Sequence, residues 1–157
     1  MKFPRPVVFV SKCLGFEACR YNRQVINDRF VDRLKKFADI VTECPEVEIG
    51  LGVPRQPIRV IEEDGAKFLY QPSSEKDVTS EMKKFIADFM ARGLDIDGFI
   101  LKSRSPSCGP LNVKVYQGRH KEARSKAGSG FFGEAVLKEY PGSTVEEEGR
   151  LNNFTIR

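Results

Sequence analysis

The sequence predicts an α/β fold: one domain over residues 1–157, built on a mainly parallel sheet flanked by helices, with a small antiparallel hairpin added. Three observations carry that expectation. Short β-rich apolar runs, Val7-Val-Phe-Val10, Asp39-Ile-Val-Thr42 and Gly98-Phe-Ile-Leu101, are separated by segments of helical period. A β-loop-α-β unit of this kind crosses over right-handed and belongs to a parallel sheet. A chain of 157 residues is also long enough to bury one core without staples.

Taken in order, residues 4–10 read as a first buried strand and residues 13–22 as a functional loop that Gly15 allows to turn. Asn27 or Asp28 can cap a helix over 29–37, whose apolar Phe30, Val31, Leu34 and Phe37 share one face. Residues 40–42 return as the second strand. From Cys44 to Pro57, two glycines and three prolines within fourteen residues exclude one regular element and leave a shaped loop. Residues 58–61 and 67–70 flank Asp64-Gly65, a hairpin signal. Thr79 or Ser80 caps a helix over 81–92, with Met82, Phe85, Ile86 and Phe89 inward and Gly93 ending it. Beyond the strand at Phe99, residues 112–116 alternate weakly and 117–130 read as a basic loop. Residues 133–139 form a short helix, and 144–150 lead into a short tail.

The net charge of +4 is compatible with an anionic partner such as a nucleotide or RNA and does not demand one. No apolar run approaches the roughly 18 residues of a membrane helix, so no membrane partner is expected. The N-terminal stretch lacks the apolar segment and cleavage site of a secretory signal, which points to the cytoplasm. In a reducing compartment, four cysteines speak for metal binding or catalysis more than for disulfides. Cys13, Cys44 and Cys108 each stand just past a strand, at the edge where open parallel sheets bind ligands. No CxxC pair occurs, which removes zinc ribbons and the thioredoxin motif, and the lone His120 makes a mixed Cys/His zinc site unattractive. Three thiolates suit an iron-sulfur cluster with one iron lacking a protein ligand, or a catalytic zinc with an open position. The bland alternative is that each cysteine is a small buried hydrophobe.

Three blocks carry a family resemblance. Ser11-Lys-Cys-Leu with Cys19-Arg-Tyr, then Cys44-Pro-Glu-Val-Glu-Ile-Gly-Leu-Gly-Val-Pro-Arg, then Leu101-Lys-Ser-Arg-Ser-Pro-Ser-Cys-Gly resemble, in order, the signature blocks of the thiouracil desulfidase family. With Phe131-Phe and Val145-Glu-Glu-Glu-Gly-Arg-Leu151 the similarity covers nearly the whole chain. The resemblance implies a Rossmann-like α/β fold and a [4Fe-4S] cluster held through three cysteines, which match Cys13, Cys44 and Cys108, with the fourth iron open. It implies a desulfidase that hydrolyses thiolated uracil compounds and releases sulfide. An open iron can bind a thiocarbonyl sulfur as a Lewis acid while water attacks the carbon, so no net redox change is required. The second block and the chain's ending resemble most the desulfidase domain of two-domain relatives that act on thiolated tRNA, whereas this chain stops at Arg157. Candidate substrates are therefore free 2-thiouracil, 4-thiouridine monophosphate and 4-thiouridine in tRNA, the monophosphate first.

The same comparison gives roles to individual residues. Glu46, two residues after Cys44, is the nearest carboxylate to the expected cluster and matches a catalytic position, so it is the candidate base or proton shuttle. Ser105 matches a family serine that orients substrate or relays a proton; its alternative is a turn-capping hydroxyl. Arg20, Tyr21, Arg55 and Lys102 are the candidate substrate grips for a phosphate or the uracil carbonyls, with surface ion pairs as the alternative for the charged ones. Cys19 is expected not to be a ligand, because a fourth thiolate would close the cluster. The rival class is a non-catalytic cytoplasmic domain that holds zinc or binds RNA through the basic loop 119–126.

Overall fold

The computed structural model describes residues 3–153 and 155. Its first half runs β1 (Val7–Ser11), α1 (Arg29–Leu34), β2 (Asp39–Glu43), α2 (Pro45–Glu48), β3 (Arg59–Glu63), β4 (Ala66–Gln71) and β5 (Lys76–Asp77). The second half runs α3 (Thr79–Ala91), β6 (Gly98–Leu101), β7 (Val113–Tyr116), β8 (Ser125–Gly128), α4 (Phe131–Glu139), β9 (Thr144–Glu147) and α5 (Glu148–Leu151). Among the described residues no helix is long and apolar enough to cross a membrane.

Four strands form a wholly parallel sheet in the order β2-β1-β6-β9. Its central strands are buried on both faces, which is why they read as continuous apolar runs. Phe9, Phe99 and Leu101 enter one core with Phe85 and Phe89 of α3 and Phe132 of α4. Val8, Val10 and Ile100 enter the other with Val31 of α1 and Leu151 of α5. In the first core the rings of Phe9, Phe89 and Phe132 stand 5.1 to 5.5 Å apart between centroids. Such aromatic pairs add about 0.5–1.5 kcal/mol each beyond the area they bury. The chain leaves β1 through α1 to β2 on one side and reaches β6 through α3 on the other. Strand order therefore reverses between β1 and β6, and that switch point is where an open α/β sheet presents its ligand crevice.

The antiparallel addition is larger than the expected hairpin. It is a five-stranded sheet, β5-β4-β3-β7-β8, in which only the β3–β7 pair is parallel. Asp64 and Gly65 turn its first hairpin with φ of 50° and 75°, the positive values a tight hairpin requires. The expected basic loop holds β8, whose Ser-Lys-Ala-Gly sequence has little β preference; pairing with β7 supplies its structure.

Other boundaries move for identifiable reasons. Asp28 caps α1, accepting the N–H groups of Phe30 and Val31 at 2.9 and 3.0 Å. The helix stops at Leu34 and leaves Phe37 69% exposed rather than inward, because the Arg5 guanidinium takes the carbonyls of Lys35, Lys36 and Ala38. Neither Thr79 nor Ser80 caps α3: Thr79 is its first residue, its N–H donating to Asp77 at 2.9 Å and its hydroxyl accepting from Leu69 N–H at 2.8 Å. Residues 144–150, given no element in the sequence reading, hold β9, paired in parallel with β6, followed by one helical turn.

Candidate active site

Cys13 follows β1, Cys44 follows β2 directly, and Cys108 lies in the turn after β6, so three adjacent strands deliver their cysteines to one sheet edge. All three, together with Cys19, line a cavity of about 570 Å³. The four are free thiols. The Cys19 thiol is neighbour to those of both Cys13 and Cys44, and Cys44 Sγ donates to the Cys19 carbonyl at 3.7 Å. The contact with Cys13 raises the Cys19 thiol to about 11, against the opposite pull of Cys44 and with help from burial. Cys44 is pushed up by its bond to Cys19 and by burial. Cys108 is pushed up by burial, which the Ser11 and Ser105 hydroxyls offset in part. A metal group held by Cys44 and Cys108 would displace their protons on binding.

The turn that carries Cys108 is fixed to α4. No side chain caps that helix; its first N–H groups donate to the turn's carbonyls, Phe131 to Pro106 at 3.2 Å and Phe132 to Ser107 at 2.9 Å. The fit leaves no room for side chains: a Cβ on Gly130 or Gly133 would stand 2.6 Å from carbonyl oxygens of the turn. Within the turn, Ser105 Oγ accepts the N–H groups of Cys108 at 3.0 Å and Ser107 at 3.3 Å. Ser105 thus caps its own turn, and its hydroxyl lies close enough to the Cys108 thiol to offset part of the effect of burial.

Glu46 sits in the first turn of α2, where acidic residues favour the helix dipole. Its Oε2 accepts Arg55 Nε and Nη2, both at 2.8 Å, and its Oε1 accepts the Ser107 hydroxyl at 2.9 Å. Arg55 Nη1 also donates to the carbonyls of Cys19 and Gly52 at 2.9 Å each. Only 4% of the Arg55 side chain and 13% of that of Glu46 is exposed. Lys102 is held in a similar way, by Glu148 and by the carbonyl and hydroxyl of Ser103 at 2.9 Å each, while Glu148 also accepts Ser103 N–H at 2.7 Å. Both cations line the cavity, but their charges are directed at protein carboxylates. Arg20 and Tyr21 line it too; Tyr21 is 40% exposed, with the Arg20 guanidinium 5.6 Å from its ring centroid.

Three residues at or behind this wall had no role in the sequence reading. Ser107 orients Glu46, Glu148 neutralises Lys102, and buried Glu147 carries an Oε1 without a hydrogen-bond partner. The block Val145-Glu-Glu-Glu-Gly-Arg-Leu151 was the signal for the last two, although nothing in it names their partners. Burial pushes the Glu147 carboxyl up. Glu148 is pushed up by burial and pulled further down by Lys102 and Ser103, and it ends below its ordinary value.

Free thiols gathered at the switch point of a parallel sheet, beside a clamped carboxylate, define an α/β protein with a sulfur-lined site. The sequence profile of the 2-thiouracil desulfurase family matches residues 8–148, and the chain belongs to that family. It is 31% identical over 155 residues to YbbK, an uncharacterized protein of Bacillus subtilis (strain 168), across 94% of this chain and 99% of that one. Among solved structures, the [4Fe-4S]-dependent thiouracil desulfidase TudS matches with a TM-score of 0.69 at 30% identity, over 94% of each chain.

Proposed function

We propose that the protein is a [4Fe-4S]-dependent desulfidase that hydrolyses thiolated uracil compounds, with Cys13, Cys44 and Cys108 holding the cluster and Cys19 beside it as a non-ligand. The observation that carries this reading is the lining of a single cavity by all three strand-end thiols together with Glu46. The donor set suits the group: it is sulfur only, the ligand type that selects iron-sulfur clusters.

When bound, the cluster supplies an iron free of protein ligand, a Lewis acid for the thiocarbonyl sulfur. The chain's residues do the rest. Glu46, held on one oxygen by Arg55 and on the other by Ser107, takes the proton of the attacking water. A C–O bond forms, the C–S bond breaks, and sulfur leaves as sulfide with the protons of one water, so carbon keeps its oxidation level. Arg20 and Tyr21 bind the pyrimidine at the cavity wall. Ser105 holds the turn and hydrogen-bonds with Cys108, while Arg55 and Lys102 act as positioning residues. Anaerobic reconstitution tests this: about four irons and four sulfides per chain, with loss of thiocarbonyl absorbance and release of sulfide without reductant turnover. Stoichiometric zinc without iron-dependent absorbance, or a loaded protein inert toward every thiolated uracil compound, overturns it.

A further inference from the structure

A second cavity of about 620 Å³ adjoins the first, and Arg104, Pro106 and Asn112 line both. Its wall carries four cations, Arg59, Arg104, Lys114 and Lys126, and no carboxylate. Lys126 pairs with Glu62 at 2.8 Å. Among the described residues, Arg59, Arg104 and Lys114 have no carboxylate partner; Arg59 lies 5.0 Å from the centroid of the Tyr116 ring. The strand pattern aims this charge outward, since Val113 and Val115 of β7 are buried while Lys114 is exposed. This contrasts with the sulfur-lined cavity, where Arg55 and Lys102 are neutralised by Glu46 and Glu148.

We propose that this second cavity is a subsite for the phosphodiester chain of a thiolated RNA whose modified uracil enters the sulfur-lined cavity. The inference rests on the desulfidase reading and names its substrate class. A single phosphate monoester carries about two charges and needs one or two of these cations. Three without a carboxylate partner, along a cavity as large as the reaction cavity, match a run of phosphates, and Tyr116 with Arg59 offers a flat surface on which a neighbouring base can stack. Arg104, at the seam of the two cavities, faces the phosphate next to the reacting nucleotide.

The test is equilibrium binding of a short fluorescein-labelled oligouridylate, free of sulfur, to the reconstituted protein across a salt series. Three phosphate contacts on a single strand, from Arg59, Arg104 and Lys114, give a slope of log K against log salt of about −2.1, and Arg59→Ala/Lys114→Ala reduces its magnitude by about 1.4. Lys83→Ala, an exposed cation on α3, leaves the slope unchanged. If the double variant does not fold, Lys114→Glu at its exposed position gives the same reading with a smaller reduction. A second arm compares kcat/KM for an oligonucleotide carrying one 4-thiouridine with that for free 4-thiouracil; the ratio falls in the double variant. A slope that the double variant leaves unchanged, or that Lys83→Ala lowers equally, overturns the subsite. Because the binding arm requires no thiolated base, failure of desulfuration alone refutes the desulfidase reading and is distinguished from failure of the subsite.

Discussion

Replacing Arg55 by methionine tests whether charge holds Glu46 in place. Methionine keeps most of the buried aliphatic volume and removes the guanidinium, leaving a carboxylate that is 13% exposed with only Ser107 on one oxygen. Removing one partner of a buried ion pair costs about 3–5 kcal/mol, because the other charge is left uncompensated. Two features favour the lower end. Ser107 still serves Oε1, and water can reach the carbonyl of exposed Gly52, one of the two that Arg55 also serves. A loss of about 3 kcal/mol in urea melts should appear as a Tm lower by about 6–12 °C for a chain of this size. Glu46→Gln leaves Arg55 unpaired and should also destabilise. The double variant Arg55→Met/Glu46→Gln should be more stable than the sum of the singles predicts, with a coupling of about 2 kcal/mol. An Arg55→Met loss under about 1 kcal/mol, or strict additivity in the double variant, would refute the clamp.

The remaining predictions follow from the same contacts. Cys13→Ala, Cys44→Ala and Cys108→Ala should each lose iron and activity together, whereas Cys19→Ser should retain both; iron analysis after anaerobic reconstitution decides, and loss of iron in Cys19→Ser makes Cys19 a ligand. Glu46→Gln should keep the cluster spectrum while the rate falls by about 10²-fold or more, and an unchanged rate removes Glu46 as the base. Gly133→Ala drives a Cβ to 2.6 Å from the carbonyl oxygens of Cys108 and Gly109; a loss of about 1–3 kcal/mol and reduced iron retention are expected, and wild-type behaviour in both would show that the contact is soft. Glu148 ends below its ordinary value of 4.5, as Lys102 and Ser103 outweigh burial. Its contribution is therefore fully present above about pH 4.5 and lost as pH falls through the folded value. Urea melts of wild type and Glu148→Gln from about pH 7 to about pH 3 should converge at the acid end; a constant gap contradicts the assignment.

The parallel core was legible because its strands are buried on both faces and so announce themselves as apolar runs, and each cysteine's place after a strand carried the site with it. What stayed hidden depends on partners distant in sequence. Ser125-Lys-Ala-Gly128 becomes a strand only because β7 offers it a ladder, and Thr144–Glu147 becomes one only because β6 pairs with it. Ser107 meets Glu46 across 61 residues and Lys102 meets Glu148 across 46. No local pattern encodes such a meeting. The partner of Arg55 was hidden for the same reason: the sequence left a substrate grip and a surface ion pair open, and only the fold shows it buried against a carboxylate nine residues earlier.

The two ion pairs also explain how a site made of loops can hold donors in fixed positions. Loops are ordinarily the mobile parts of a fold, and every cysteine here stands outside a strand. Arg55 joins the Cys19 segment to α2, Glu46 passes that constraint through Ser107 to the turn bearing Cys108, and Lys102 ties the start of the same turn to α5. The three strand ends are thereby bonded to one another independently of any bound group. Buried pairs of this kind add little net stability once desolvation is counted, so their value lies in geometry. The consequence for recognition is direct: two cations that line the sulfur cavity are committed to holding its wall. The charge left for an anionic substrate is that of Arg20 at the cavity wall and of Arg104 at the seam with the second cavity. On the proposed reading, the path a phosphate follows leads outward across β7.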